Sequence, residues 1–297
     1  MRAVLLVLPL AGLLAGLPAA WPRPARAAPA PIGLVAAENV YGDVAAQIGG
    51  AEVRVTSVLA NPSQDPHLFE ASPSVARAVS AARIVVANGL GYDPWMGRLA
   101  AAAGAPGRVS IVVADLLGRK PGDNPHVWYD PAAMPAFARA LTAALCAIDP
   151  PHAGAYQARL ARFTRSLAPI ASRIAELRTR FAGTPVTATE PVFGTMFAAL
   201  GLRVRNTGFQ IAVMNGTEPS AADMAAFERD LRGHAVRLLV FNRQASSPIA
   251  ERMARLAREQ GIAVLGVTET EPPGTTYQAW IAGALDAVAR ALAGPAG

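Results

Sequence analysis

The chain has 297 residues and carries 27 Lys or Arg against 21 Asp or Glu, a formal net charge of +6. Three arginines lie in the first 27 residues, so the remainder holds 24 basic and 21 acidic side chains, a net charge of +3. The basic residues are interspersed with acids, and Lys120 is the sole lysine. This pattern predicts solvated helix faces and excludes a basic stripe for nucleic acid, while the length suits two domains of ordinary size.

The N-terminus predicts export. Arg2 supplies a positive start, residues 4–17 form an almost unbroken apolar run, and Ala25-Arg26-Ala27 is a cleavage signal of the A-x-A type. This is the layout of a secretory signal peptide over residues 1–27. An uncleaved anchor is the alternative, although the apolar run is short for a membrane span. Cys146 is the only cysteine, so we expect no lipid anchor, no internal disulfide and a free periplasmic protein.

Short apolar runs alternate with helical periodicity along the first half of the remaining chain. The predicted strands are residues 32–37, 53–59, 84–87 and 109–113, with helices at 41–48 and 73–82. The second half repeats the scheme, with strands at 186–188, 203–206, 236–241 and 263–267 and helices at 219–231, 249–259 and 278–292. Such alternation is typical of βαβ units around parallel strands. We therefore predict an α/β protein in which each half forms a lobe with a parallel sheet.

The segment 151–181 separates the two halves. Its apolar residues recur every three or four positions, which is the spacing of one buried helix face. They are Leu160, Phe163, Leu167, Ile170, Ile174 and Leu177. One helix of this length would be a stiff strut of about 45 Å, and two helices broken at Pro169 are the alternative. The predicted organisation is a signal peptide at 1–27, an N-terminal lobe at 28–150, a linking helix at 151–181 and a C-terminal lobe at 182–297.

Two of the four histidines stand in similar settings. His67 ends the triplet Asp-Pro-His and His126 ends Asn-Pro-His, and each follows a predicted strand and a loop. Proline restricts both its own backbone and that of the residue before it, so each histidine lies on a stiff loop. Ligands of α/β folds bind at such carboxyl ends of strands. A structural role fits either histidine alone, whereas the pair favours a metal site; His152 and His234 match no ligand motif and are expected at helix ends or on the surface.

On these motifs the chain resembles the ZnuA-like solute-binding proteins of zinc and manganese ABC importers, the cluster A-I metal-binding family. The resemblance covers nearly all of the chain after residue 27 and is strongest in residues 37–43, 65–70, 88–95 and 124–128. It implies two (βα)4-like lobes joined by one long rigid helix, with the metal between the lobes. It also implies a monomer that is not an enzyme and that delivers a divalent metal to an inner-membrane ABC permease with its ATPase.

The resemblance implies two metal ligands on each lobe. His67 and His126 match the ligand positions of the first lobe. In the second lobe many zinc members have a histidine after a strand, where this sequence has Glu190, as manganese-type members do. A plain helix-start acid is the alternative role for Glu190. The fourth ligand is an acid after the last strand, for which Glu269 aligns best and Glu271 stays open.

Two imidazoles and two carboxylates form a mixed nitrogen and oxygen site. With one oxygen from each carboxylate it has the four-coordinate geometry that zinc prefers, whereas two oxygens from each would suit manganese. The Irving–Williams order favours zinc, but Glu190 and the short, histidine-free loop 116–123 depart from the zinc members. We therefore predict zinc or manganese, with zinc slightly favoured. Each imidazole also needs an acceptor that sets its tautomer, and Asp65 and Glu70 are candidates.

Three other functions fit parts of these observations. A zinc-dependent hydrolase would need an open coordination position and a general base, and the sequence contains no H-E-x-x-H, G-x-S-x-G or phosphate-loop motif. An adhesin-type or structural metal-binding surface protein would keep the same ligands. A binding protein for chelated iron or haem would have a larger cleft lined by aromatic or arginine side chains.

Overall fold

The computed structural model describes residue 3, residues 30–245 and residues 247–294. The signal peptide predicted over residues 1–27 lies outside the described residues, with the single exception of residue 3. None of the described helices combines the length and the apolar character that crossing a bilayer requires.

Eight short strands form two parallel four-stranded sheets in the described part of the chain. The first sheet has the order β2-β1-β3-β4, and the second has the order β6-β5-β7-β8. The strands are β1 (Ile32–Glu38), β2 (Val53–Leu59), β3 (Ile84–Ala87), β4 (Val109–Val112), β5 (Pro185–Ala188), β6 (Arg203–Val204), β7 (Leu238–Asn242) and β8 (Ala263–Val267). Each half thus places its first and third strands side by side in the middle of its sheet. The predicted α/β fold with two parallel-sheet lobes is confirmed.

Helices cover the sheets and connect their strands. They are α1 (Asn39–Gly49), α2 (Pro73–Ala81), α3 (Pro94–Ala102), α4 (Val113–Leu116), α5 (Ala133–Ile148), α6 (Ala153–Ser166), α7 (Ala168–Phe181), α8 (Gly194–Ala199), α9 (Thr207–Met214), α10 (Ala221–Arg232), α11 (Pro248–Glu259) and α12 (Tyr277–Ala293). Hydroxyl side chains accept a backbone N–H at the starts of α2, α10, α11 and α12. Such caps satisfy amides that have no partner within the helix.

The linking segment is helical but interrupted. Helices α6 and α7 meet at Leu167, because Pro169 lacks the N–H that would continue the helical hydrogen bonds. The Leu167 N–H bonds instead to the Thr164 carbonyl at 3.3 Å. Helix α6 packs against α1 and α5 of the first lobe, and α7 packs against α12 of the second. The single long rigid helix is therefore not formed; the alternative of two helices broken near Pro169 describes the segment.

One continuous hydrophobic core runs through both lobes. At the lobe boundary the Tyr129 ring lies 4.7 Å from the Phe193 ring and 5.1 Å from the Trp280 ring, measured between centroids. The Tyr129 hydroxyl also donates to the Thr268 carbonyl at 2.8 Å. A second, smaller cluster packs beneath helices α9, α10 and α11. The shared core holds the loops at the carboxyl ends of the two sheets against each other.

Candidate metal centre

The four side chains predicted as ligands converge from four separate segments. His67 follows β2, His126 follows β4 and α4, Glu190 follows β5, and Glu269 follows β8. Each offers one ligand atom, and these four atoms all lie within 4.8 Å of one another. The histidines come from the first lobe and the glutamates from the second. The alternative fourth residue, Glu271, lies outside this cluster of four.

A short turn holds His67 at the edge of the cluster. Asp65 Oδ1 accepts the backbone N–H of His67 at 2.9 Å, and Pro66 begins the 3-10 turn Pro66–Leu68. The His67 side chain is 26% exposed, and its Nε2 lies 3.5 Å from Glu269 Oε1. Asp65 therefore positions the backbone of His67, not its ring.

The second histidine, His126, is fully buried. Asn124 Oδ1 accepts its backbone N–H at 3.0 Å and its Nδ1–H at 2.8 Å. The other ring nitrogen, Nε2, faces the cluster and lies 3.5 Å from Glu269 Oε2. This Nε2 has no hydrogen-bond partner, which is unfavourable for a buried polar atom unless a ligand occupies it. The acceptor that sets the tautomer of His126 is thus Asn124, and the candidates Asp65 and Glu70 are wrong for this ring.

The first glutamate, Glu190, stands immediately before the 3-10 turn Pro191–Phe193 that leads into α8. Its side chain makes no capping hydrogen bond to that turn. Instead its Oε2 accepts Asn242 Nδ2–H at 2.7 Å. Burial raises the pKa of Glu190, the Asn242 hydrogen bond opposes this, and the Glu269 charge adds to it, so that the pKa is about 7. The geometry thus disfavours the helix-start role and places this carboxyl in the cluster.

The second glutamate, Glu269, has no exposed surface. Its Oε1 accepts Asn242 Nδ2–H at 2.7 Å, and its Oε2 accepts the Tyr92 hydroxyl at 2.6 Å. Burial alone would raise the pKa of Glu269, but His126 and His67 outweigh it and hold this pKa far below its ordinary value. Burial lowers the pKa of His67, and Glu269 raises it more strongly, to about 9. Without a cation, His67 and Glu269 therefore form an ion pair.

Two polar residues behind the four predicted ligands were not identified from the sequence. Asn242, the last residue of β7, donates to both glutamates through Nδ2. Gln244 Oε1 accepts the backbone N–H of Glu269 at 2.7 Å and of Thr270 at 2.9 Å. Both follow the buried apolar run of β7 directly, and polar residues at the carboxyl end of a parallel strand are the signal that would have found them.

Hydrogen bonds around the cluster cross between the lobes. Gln244 Nε2 donates to the Gln64 carbonyl at 3.1 Å, and Asn124 Nδ2 donates to the Pro191 carbonyl at 2.6 Å. Asn39 Nδ2 donates to the Glu271 carbonyl at 2.7 Å, and its Oδ1 accepts the Glu271 N–H at 3.0 Å. Burial and the nearby Asp43 raise the pKa of the Glu271 carboxyl to about 8. Glu271 thus belongs to the contact between the lobes.

The cluster opens to solvent beside His67. Two cavities of about 430 Å³ and 460 Å³ border this residue, and Met214 lines both of them. Leu68 and Ile211, which line one cavity each, are exposed apolar side chains. A cation entering from this side meets His67 first and the three buried side chains behind it.

The chain matches one protein family model, described as "Zinc-uptake complex component A periplasmic" and abbreviated ZnuA, over residues 34–291. That span includes all four residues of the cluster.

Curated relatives carry similar descriptions. A "Putative metal-binding protein" of Treponema pallidum (strain Nichols) is 27% identical over 240 residues, which is 73% of this chain and 73% of the relative. The "Manganese-binding lipoprotein MntA" of Halalkalibacterium halodurans is 28% identical over 137 residues, 45% of each chain.

Solved structures match the whole two-lobed fold. The periplasmic zinc binding protein TroA from Treponema pallidum aligns with a TM-score of 0.74 at 18% identity, covering 89% of this chain and 99% of that one. The SBP FpvC from Pseudomonas aeruginosa, in complex with Mn²⁺, aligns with a TM-score of 0.73 at 18% identity, with the same coverage. At this identity the likeness establishes the fold.

Proposed function

The chain belongs to the ZnuA family of periplasmic zinc-uptake components, and we propose that it captures a divalent transition metal as the solute-binding component of an ABC importer. It delivers this metal to the inner-membrane permease and its ATPase. The family binds metal for uptake and does not catalyse a reaction, so the chain is not an enzyme, and the zinc-dependent hydrolase is excluded.

The observation that carries this proposal is the buried Nε2 of His126, which has no hydrogen-bond partner and faces Glu269. Glu190, Glu269 and His67 complete a set of two imidazoles and two carboxylates around it. Four protein ligands fill a tetrahedral site and leave no open position for a substrate. Such a closed site suits retention and transfer of the ion.

Zinc is slightly favoured over manganese as the transported ion. Zinc stands above manganese in the Irving–Williams order for mixed nitrogen and oxygen ligands. Glu190 reduces this preference for zinc, because a carboxylate oxygen is a harder ligand than an imidazole nitrogen and suits manganese better. The identity of the metal in the cell thus depends on how many carboxylate oxygens reach it.

The cavities beside His67 give no support to a haem or chelated-iron ligand. Such a ligand would be held by aromatic or arginine side chains; among the described residues that line these two cavities there is no arginine, and Tyr92 is the one residue of the Phe, Trp or Tyr type.

The proposal assigns a role to each part of the chain. Residues 1–27 direct export to the periplasm as a cleaved signal peptide, and the released protein acts as a monomer. Residues 28–150 and 182–297 are the two metal-binding lobes, and residues 151–181 link them.

Thermal melting with and without zinc tests the metal site. A ligand that binds only the folded state stabilises it by RT ln(1 + [L]/Kd), about 2.7 kcal/mol at a hundred times Kd. We expect the wild type to show this rise and the His67→Ala, His126→Ala double variant to lose it. A His152→Ala, His234→Asn double variant is the matched control, because both residues lie outside the cluster, and it should respond like the wild type.

Transport is tested separately in a strain that lacks the chromosomal gene. The wild-type chain should restore growth in zinc-limited medium, and the His67→Ala, His126→Ala variant should not. Equal rescue by both proteins, or equal melting curves in zinc, would contradict the proposed site.

A further inference from the structure

Asn242 lies between the two carboxylates of the proposed site. It ends β7, the strand that pairs with β5 on one side and with β8 on the other. Glu190 follows β5 and Glu269 follows β8. The Asn242 Nδ2 is 2.7 Å from Glu190 Oε2 and 2.7 Å from Glu269 Oε1. Because an amide nitrogen carries two hydrogens, each carboxylate receives one.

The Asn242 amide is itself held in place. Its Oδ1 accepts the Gln244 backbone N–H at 3.0 Å, and its own backbone N–H donates to Thr189 Oγ1 at 3.3 Å. The residue has no exposed surface, so rotation of the amide would leave buried polar groups without partners, which is unfavourable. One fixed, planar group therefore sets the orientation of both carboxylates.

This arrangement restricts how the carboxylates can bind a cation. An oxygen that accepts a hydrogen bond is a weaker ligand for a cation, so the bond from Asn242 to Glu190 Oε2 favours coordination of a cation through Glu190 Oε1 alone. Both oxygens of Glu269 face the histidines, with Oε1 3.5 Å from His67 Nε2 and Oε2 3.5 Å from His126 Nε2. Each of them accepts one hydrogen bond, from Asn242 and from the Tyr92 hydroxyl, which fixes the orientation of this carboxylate. Zinc is satisfied by one oxygen from each carboxylate, whereas manganese prefers more oxygen ligands.

We infer that Asn242 is a positioning residue that raises the affinity of the site for zinc relative to manganese by favouring one-oxygen coordination by Glu190 and by fixing the orientation of Glu269. The inference rests on the proposed function, since it takes both glutamates as ligands of the transported ion. Asn242, at the end of β7, would thus take part in metal selection, although it lies in none of the motifs that contain the proposed ligands.

The test compares zinc and manganese affinities of the full exported chain by competition with a metal-binding dye. In Asn242→Ala, zinc affinity should fall about 10- to 100-fold, as loss of an outer-shell partner typically does, and manganese affinity should change by less than about threefold. X-ray absorption of bound Zn²⁺ and Mn²⁺ reports the number of nearest neighbours, and electron paramagnetic resonance of bound Mn²⁺ reports the symmetry of its site. The zinc site of the wild type should show four nearest neighbours, as a closed tetrahedral site does.

Two further variants separate this role from a merely structural one. Asn242→Asp keeps the size of the side chain and an acceptor for the Gln244 N–H but removes the amide donor, so it too should lower the zinc-to-manganese ratio. It also serves if Asn242→Ala fails to fold. Thr187→Val, in β5 of the same sheet, is the matched control. It removes partly buried hydrogen bonds to the Arg205 carbonyl and the Asn206 side chain and none to the glutamates, so its zinc-to-manganese ratio should equal that of the wild type.

The outcomes distinguish the two proposals. The proposed function is contradicted if the wild type does not bind zinc, or if the His67→Ala, His126→Ala double variant binds zinc with the same affinity as the wild type. A wild type that binds zinc through these residues, with an unchanged zinc-to-manganese ratio in both Asn242 variants, overturns only the role of Asn242. An equal fall of the ratio in Thr187→Val overturns it as well, because the effect would then come from general loosening of the lobe.

Discussion

Metal affinity should rise steeply with pH, because two of the proposed ligands carry protons when no cation is bound. Burial lowers the pKa of His67, but Glu269 outweighs it and raises this pKa to about 9. Burial raises the pKa of Glu190 to about 7. A cation binds the unprotonated forms of imidazole and carboxylate, so binding must release these protons.

The size of the effect follows from the two pKa values. Both are raised above their ordinary values, so the protonated forms compete with the metal below pH about 9 for His67 and about 7 for Glu190. Between about pH 6 and about pH 8, displacement of the His67 proton accounts for roughly a 100-fold change in affinity and the Glu190 proton for roughly a tenfold change. Together they predict a rise on the order of 1,000-fold.

Titration calorimetry and dye competition measure the effect in two independent ways. Calorimetry at about pH 7, in two buffers with different heats of ionisation, should report about 1.5 protons released for each zinc ion bound. In Glu190→Gln the release should fall to about one proton, and the affinity should change roughly 100-fold over the same pH range. This variant keeps the His67–Glu269 ion pair, so it separates the contributions of the two groups.

An affinity that changes by less than about tenfold between about pH 6 and about pH 8 would refute this reasoning. A proton release near zero at about pH 7 would do the same. Either result would mean that His67 is already unprotonated in the metal-free protein and that its contact with Glu269 is not an ion pair.

Three further predictions test the surroundings of the site. Asn124→Ala removes the acceptor for His126 Nδ1–H and should weaken zinc binding about 10- to 100-fold; an affinity within about twofold of the wild type by calorimetry would count against it. Glu269→Gln should weaken zinc binding by more than about 100-fold, whereas Glu271→Gln, outside the cluster, should leave the same titration within about threefold. Burial and then the Asp93 charge raise the pKa of Glu38 well above its ordinary value, so the stability of the wild type falls as the pH rises above that ordinary value. Glu38→Gln removes this loss and should melt at a higher temperature than the wild type at neutral pH, by about 2–4 °C for each kcal/mol gained. In calorimetric scans the difference between the two melting temperatures should disappear toward about pH 4.

The strands were predictable because each is a short buried apolar run between turn residues. The strand β3 has the predicted bounds, Ile84–Ala87. It lies in the middle of a parallel sheet that is covered on both faces, so all of its positions favour apolar residues. The strand β6 is only Arg203–Val204, shorter than the predicted 203–206. It is an edge strand that pairs with β5 alone, so the apolar pattern does not determine where its pairing ends.

The linking segment shows a different limit of prediction from sequence. The apolar positions from Leu160 to Leu177 predict a buried face equally well for one helix or for two, because a one-residue interruption barely changes the periodicity. Pro169 predicts an interruption without its exact place. The structure places the interruption at Leu167, with α6 packed on the first lobe and α7 on the second.

The proposed ligands and the residues behind them differ in how far the sequence reveals them. His67, His126 and Glu190 each adjoin a proline, and this local restriction marks them before any tertiary structure is known. Asn242 has no such mark, because its role arises from the order of the strands. Once the order β6-β5-β7-β8 is established, the carboxyl ends of β5 and β7 must adjoin, and a polar residue ending β7 must meet whatever side chain follows β5. In the second lobe the supporting residue Asn242 is therefore predictable from topology, whereas the proposed ligands His67, His126 and Glu190 are predictable from motifs.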